Sequence, residues 1–238
     1  MVTRLDNFLS NEGFGTRKHV KTLIKNGHVK LENEIVKIPD FKFDPELLAC
    51  YVDDNRVEYQ KEIFLMLNKP SGYICSNIDE RYPSVLRLID SKYLKRIKLV
   101  GRLDADTTGL LLLMDNGKIS NRLIHPNTGI EKEYLAGVDK EVSDKDLEIL
   151  RGKIDLYDDG IIQAKKVELV GPKLLDITVS EGKYHEIKRM CKRANLEVVK
   201  LTRLRIGELK LGGLELGQYR HLTKEEVNYI KKAVNMED

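Results

Sequence analysis

The stretch V-G-R-L-D-A-D-T-T-G-L-L-L-L-M-D, Val100 to Asp115, sets a polar, glycine-flanked loop directly against an apolar strand. A loop anchored at the end of such a strand can hold a carboxylate in a fixed position, and Asp104 and Asp106 are the carboxylates on offer. Asp104, Asp106, Thr108, Gly109 and Asp115 fall at positions 1, 3, 5, 6 and 12 of a calcium-loop count. The match fails chemically: the last position carries the shorter Asp instead of Glu, and Leu110–Met114 puts apolar side chains where ligands are needed. Two readings stay open on these residues alone. One is a paired-carboxylate hydrolase, whose second acid the spacing does not exclude. The other is a turn in which the Asp side chains cap backbone amides.

Composition narrows the field. A chain of 238 residues, 41% hydrophobic and 33% charged, can bury a substantial core as one large or two unequal domains. The 41 Lys+Arg against 38 Asp+Glu leave a formal charge of +3, so any case for a nucleic-acid partner rests on local charge. Cys50, Cys75 and Cys191 are odd in number, widely separated and without a C-x-x-C pair, which suits a reducing compartment better than a disulfide framework. The five histidines show no H-x-x-x-H spacing, and no metal site is expected. The N-terminus is interrupted by Arg4, Asp6 and Glu12, unlike a secretory signal, and apolar runs such as Leu110–Met114 are far too short to span a bilayer. A cytoplasmic protein with no membrane partner is expected.

Toward the N-terminus the periodicity is helical. Thr3 with Asp6 resembles a capping box, and Leu5, Phe8 and Leu9 follow at i, i+3, i+4, which predicts a short helix ending near Gly13. Thr16 can cap a second helix with Val20, Leu23 and Ile24 on one face and Gly27 at its C-terminal end. Arg17, Lys18, Lys21 and Lys25 occupy the other face. With Arg4 and Lys30 against Asp6 and Glu12, the first thirty residues carry a local +4, more than the whole chain. Val29 and Leu31, a polar turn at Glu32–Glu34, and Ile35–Pro39 predict a small hairpin. The highly charged Asp53–Glu62 reads as a linker, with a new core starting at Ile63–Leu67.

The run R-L-D-N-F-L-S-N-E-G-F-G-T-R-K-H-V-K-T-L-I-K-N-G-H-V resembles an S4 RNA-binding domain over about the first fifty residues. Glu34 departs from it, standing where many relatives carry glycine. The resemblance implies that Arg4, Arg17, Lys18 and Lys21 contact RNA, through phosphates and shape more than base identity.

G-R-L-D-A-D-T-T-G-L-L-L resembles the catalytic motif of the RsuA/RluA-type pseudouridine synthases. L-x-L-N-K-P-S-G-Y (Leu65–Tyr73), E-K-E-Y (Glu131–Tyr134), E-G-K-Y-H-E-I-K-R-M (Glu181–Met190) and L-T-R-L-R-I-G (Leu201–Gly207) follow the family's order. The resemblance implies an α+β chain with an S4-like module at 1–58. A catalytic domain at 62–238 would follow, built on a mixed, mainly antiparallel sheet with peripheral helices, Lys224–Ala233 forming a late surface helix. It implies isomerisation of uridine to pseudouridine with Asp104 as the catalytic aspartate. The D-A-D-T-T-G form with the S4 domain is most similar to the branch acting on 16S rRNA. The expected partner is 16S rRNA or a small-subunit assembly intermediate, bound by a monomer. A 23S rRNA synthase of the same family and a non-catalytic S4-containing assembly factor are the alternatives. The resemblance involves no cofactor, and neither a G-x-x-x-x-G-K-[ST] loop nor a dinucleotide fingerprint is present.

A buried carboxylate needs a nearby cation to stay charged. The resemblance assigns that place to Lys188, which lies with Arg189 off the apolar face Ile187, Met190, Cys191 and Ala194 of a helix following the strand Leu175–Val179. A strand at Lys132–Val138 projects Lys132 and Tyr134 from one face, and Tyr134 fits the family's active-site tyrosine, able to stack on an extruded base. Leu201 resembles a hydrophobic residue of the same pocket. Arg102 can bind a flanking phosphate or fill the space of a flipped-out base, with a structural salt bridge as the alternative. Glu181–Arg205 carries a second local excess of +5 that includes Arg189, and Glu186 departs from the glutamine common in the motif.

Overall fold

A computed structural model describes residues 2–90 and 92–236. Met1, Glu237 and Asp238, the outermost ends of the two expected domains, lie outside the described residues. The chain divides into two compact units: the described residues of Met1–Ile63 with Ile89–Ile97, and those of Phe64–Leu88 with Lys98–Asp238.

In the first unit β1 (Thr3–Arg4) leads into α1 (Leu5–Asn11), and α2 (Arg17–Lys25) follows. Their apolar faces bury Leu5, Phe8, Leu9, Val20 and Ile24. The Thr16 hydroxyl accepts from the His19 amide at 3.3 Å, and Gly27 beyond the helix end takes φ +85°. The capping box expected at Thr3 is not formed. Thr3 pairs with Phe43, and the Asp6 carboxylate is held by the Arg4 guanidinium at 2.9 and 3.0 Å, a stronger charge-assisted partner than an amide. The hairpin β2 (Val29–Leu31) and β3 (Glu34–Ile35) forms as expected. Thr3–Arg4 pairs with β4 (Lys42–Phe43), and β2 also pairs with β5 (Cys50–Val52), itself in a hairpin with β6 (Asn55–Arg56). The start of the segment read as a linker is therefore structured. Asp53 and Asp54 take positive φ at the hairpin tip, which short polar side chains tolerate, and Val57 is buried beyond it.

The second unit is built on a sheet of nine strands among the described residues. These are β7 (Phe64–Lys69), β8 (Lys98–Val100), β9 (Thr108–Met114), β10 (Lys132–Val138), β13 (Lys166–Gly171), β14 (Leu174–Val179), β15 (Val198–Ile206), β16 (Leu209–Lys210) and β17 (Tyr219–His221). The small ribbon β11 (Ile154–Asp155) and β12 (Ile161–Ile162) stands apart. The main path runs β13-β14-β10-β15-β9-β7-β17, and its pairs are antiparallel except β15 with β9. The expected α+β fold with a mixed, mainly antiparallel sheet is found. Leu110–Leu113 on β9 and Leu65–Leu67 on β7 are fully buried on both faces, which explains why these strands read as continuous apolar runs. Helices α3 (Gly117–Ile124), α4 (Asp144–Arg151), α5 (Glu186–Arg193) and α6 (Lys224–Ala233) surround the sheet. Ile119, Leu123 and Ile230 of α3 and α6 pack with Met66, Leu110 and Leu112.

Among the described residues no helix is long and apolar enough to cross a membrane.

Candidate active site

The parallel step in the sheet builds the site. Gly109 lies opposite Arg203 with φ +105°, and a Cβ there would lie 2.2 Å from the Arg203 carbonyl oxygen, so only glycine lets β9 and β15 approach. Thr108 and Thr202 hydroxyls meet at 2.8 Å across the same step. The loop preceding Thr108 is fixed from below by Lys69, which is fully buried. Its ammonium donates to the carbonyl oxygens of Asp104 (3.0 Å), Ala105 (3.3 Å), Thr107 (2.8 Å) and Pro70 (3.1 Å). Burial lowers the Lys69 pKa, while Cys75 and the acids Asp106 and Asp104 oppose that shift. The Cys75 sulfur accepts from the Leu103 amide at 3.3 Å, completing the loop's support.

So held, the Asp104 side chain is 30% exposed and lines a cavity of about 120 Å³, the scale of the ~150 Å³ void that admits one benzene ring. Val100, Leu123, Tyr134, Leu201 and Ile206 give it an apolar wall. Lys188 on α5 reaches Asp104 Oδ2 at 2.9 Å and Asp106 Oδ1 and Oδ2 at 2.7 and 2.9 Å. Desolvation works against the Lys188 charge, but the two carboxylates outweigh it and raise its pKa. For Asp106 burial pushes upward, and the Lys188 hydrogen bond and charge bring the carboxyl below its usual range.

His185, the residue before α5, takes φ +48° and brings Nε2 to 3.2 Å from Asp104 Oδ1, with its ring stacked on Tyr184 at 3.8 Å. Both Asp104 oxygens thus have partners, and the left-handed backbone at a non-glycine residue is the kind of strain found at functional sites. Glu186 is buried against the cavity and accepts from the Lys183 amide at 3.2 Å; burial pushes its carboxyl up to about 7.

Of the residues singled out from sequence, Arg102, Asp104, Lys132, Tyr134 and Leu201 line one cavity, and Lys188 reaches into the Asp104 cluster. Lys132 and Tyr134 do share a face, both buried. Arg189 is placed differently. It binds the Asp159 carboxylate and the carbonyls of Leu156 and Tyr184, and it is not among the cavity's residues. In the first unit Arg17 donates to Asn7 Oδ1 at 2.7 Å, Lys21 sits 3.9 Å from Asp6, and Lys18 is exposed. Sequence reasoning assigned no role to Lys69, His185 or Arg203. Each lay inside a quoted motif, but charged and polar side chains are by default read as solvated.

The family model for RNA pseudouridylate synthase matches residues 63–193, and that for the S4 domain matches residues 3–47. The chain belongs to the RNA pseudouridylate synthase family. It is 36% identical to an uncharacterized RNA pseudouridine synthase of Aquifex aeolicus (strain VF5), over 97% of each chain. It is 35% identical to ribosomal small subunit pseudouridine synthase A of Escherichia coli (strain K12), over 94% of this chain and 98% of that one. A solved pseudouridylate synthase shares 33% identity and superposes with a TM-score of 0.67, covering 95% of this chain and 99% of its own.

Proposed function

We propose that this protein converts a specific uridine of small-subunit 16S rRNA to pseudouridine, with Asp104 as the catalytic carboxylate. The observation that carries the reading is the Asp104 carboxylate lining a ring-sized cavity with the Lys188 ammonium 2.9 Å away. The small-subunit substrate is supported by the name and near full-length similarity of the Escherichia coli relative.

The uridine is extruded from the RNA into the cavity, where Tyr134 and Leu201 pack against the base. Asp104 either attacks the nucleoside or takes a ribose proton, and the C1′–N1 bond breaks with its electron pair passing to uracil. The freed ring stays enclosed, turns, and bonds to C1′ through C5 as the Asp104 oxygen leaves C1′ or as Asp104 returns the ribose proton. C5 then loses a proton with help from the Tyr134 hydroxyl, and N1 gains one. Nothing is oxidised or hydrolysed overall. Lys188 supplies the positive charge facing Asp104, and Arg102 at the cavity contacts a flanking phosphate or fills the vacated stack. The N-terminal module, through Arg17, Lys18 and Lys21, delivers folded RNA by its phosphates. The protein acts as a monomer.

Tritium release from C5-labelled rRNA, followed by position mapping, tests this. The expected result is release from one uridine of small-subunit rRNA, free or in an assembling particle. Release confined to large-subunit rRNA contradicts the substrate, and none from either contradicts the activity.

A further inference from the structure

A further polar group, given no role so far, lines the same cavity. Tyr134 on β10 and Arg203 on β15 are register partners, and with Lys132 and Leu201 they form part of one cavity wall. Arg203 is only 3% exposed. Its Nε donates to the Leu110 carbonyl at 2.8 Å, the one hydrogen bond its guanidinium makes among the described residues. Nη2 is buried with no partner. No carboxylate forms an ion pair with Arg203 among the described residues. The neighbouring Lys132 ammonium donates to the carbonyls of Glu181 (2.8 Å) and Ile130 (3.3 Å), and burial followed by the Arg203 charge lowers its pKa. An unpaired, buried, charged donor is among the costliest arrangements a fold can keep, and native proteins retain such groups where something else completes them.

We propose that Arg203 holds a carbonyl oxygen of the uracil ring, O2 or O4, and stabilises the negative charge that the ring acquires when its glycosidic bond breaks. This rests on the isomerase reading above. The electron pair of the C1′–N1 bond passes to N1 and is shared with O2 and O4. C1′ is satisfied by an Asp104 oxygen, or through loss of the C2′ proton to Asp104. C5 then bonds to C1′ as the Asp104 oxygen leaves it, or as Asp104 returns its proton to C2′; once C5 has given up its proton and N1 has taken one, the ring is neutral again and the bond to Arg203 weakens. The donor is fixed beforehand: Nε is tied to Leu110, and the backbone is clamped between Tyr134 and Gly109. Donors fixed in place stabilise developing charge without the reorganisation that solvent requires.

The test uses the full-length protein and a small-subunit rRNA transcript carrying 2-thiouridine or 4-thiouridine at the uridine mapped by tritium release, in single-turnover assays. Sulfur is a poor acceptor, so one of the two slows isomerisation by about 10- to 100-fold. In Arg203→Met the reaction on normal RNA is slowed at least as much, RNA affinity stays within about threefold, and the same sulfur adds less than threefold. Turnover of both thio-RNAs at the normal rate overturns the proposal, and decides it even if Arg203→Met does not fold. So does a sulfur penalty that persists in full in Arg203→Met, which leaves Arg203 a water-binding residue only. Failure of normal RNA to react with the unaltered protein instead overturns the isomerase reading, and this proposal with it.

Discussion

The Lys69 ammonium lies 3.0 Å from the Asp104 carbonyl oxygen, so a fully buried cation holds the backbone of the residue whose side chain faces the cavity. Lys69→Met leaves four carbonyl oxygens without this donor. The expected cost is about 2–4 kcal/mol in urea unfolding, because hydrogen bonds to charged groups are strong and buried orphans are penalised. A change below about 0.5 kcal/mol, typical of a surface site, contradicts this role.

Gly109 faces Arg203 at the parallel step of the sheet. In Gly109→Ala the new Cβ meets the Arg203 carbonyl at 2.2 Å, at φ +105°. Backbone strain and displacement of β15 are expected to lower stability by more than about 2 kcal/mol and to reduce isomerisation with it. An unchanged melting temperature contradicts the close approach.

Much of this site was legible because local patterns and tertiary demands agreed. The polar loop before Leu110–Met114 does end on a buried strand, and Lys132–Val138 alternates as a strand should. Lys188 lies off the apolar face of its helix, as its spacing indicated, and there it reaches Asp104 Oδ2 at 2.9 Å. Where a competing partner or the fold itself claims a polar residue, local reading fails. The Asp6 carboxylate is held by Arg4, so no capping box forms at Thr3. Charge at Asp53–Glu62 suggested a linker, whereas its first residues, Asp53 and Asp54, shape a hairpin tip. Lys69 and Arg203 are buried by strands that meet only in the folded sheet, and no pattern in their own segments marks that burial.

Glu186 gives a pH signature. Burial raises its carboxyl from the ordinary 4.5 to about 7, so between these values the folded chain binds more protons than the unfolded one. Its contribution to stability is fully present below the unfolded value and is lost as pH rises through the folded one, on the order of 3 kcal/mol in all. Glu186→Gln is expected to be more stable than the parent at about pH 8, with the difference vanishing toward about pH 4. Parallel urea-midpoint profiles for the two proteins contradict the assignment.

The basic face of α2 carries exposed Lys18 and Lys21. Replacing both by Ala is expected to weaken binding to a small-subunit rRNA transcript and to reduce the slope of log Kd against log salt by about 1 to 2. The single-turnover rate on saturating RNA stays the same, because neither residue lies at the cavity. An unchanged salt slope excludes this face from phosphate contact.

Asp104→Asn keeps the size and the backbone contacts of the residue while removing its charge. Single-turnover conversion of uridine by this variant, measured beside its RNA affinity, tests the account most directly. The predicted result is no pseudouridine with RNA affinity within about threefold of the parent, as befits a group that acts on the bound nucleotide and not on RNA capture. Pseudouridine forming at the parent rate would contradict it.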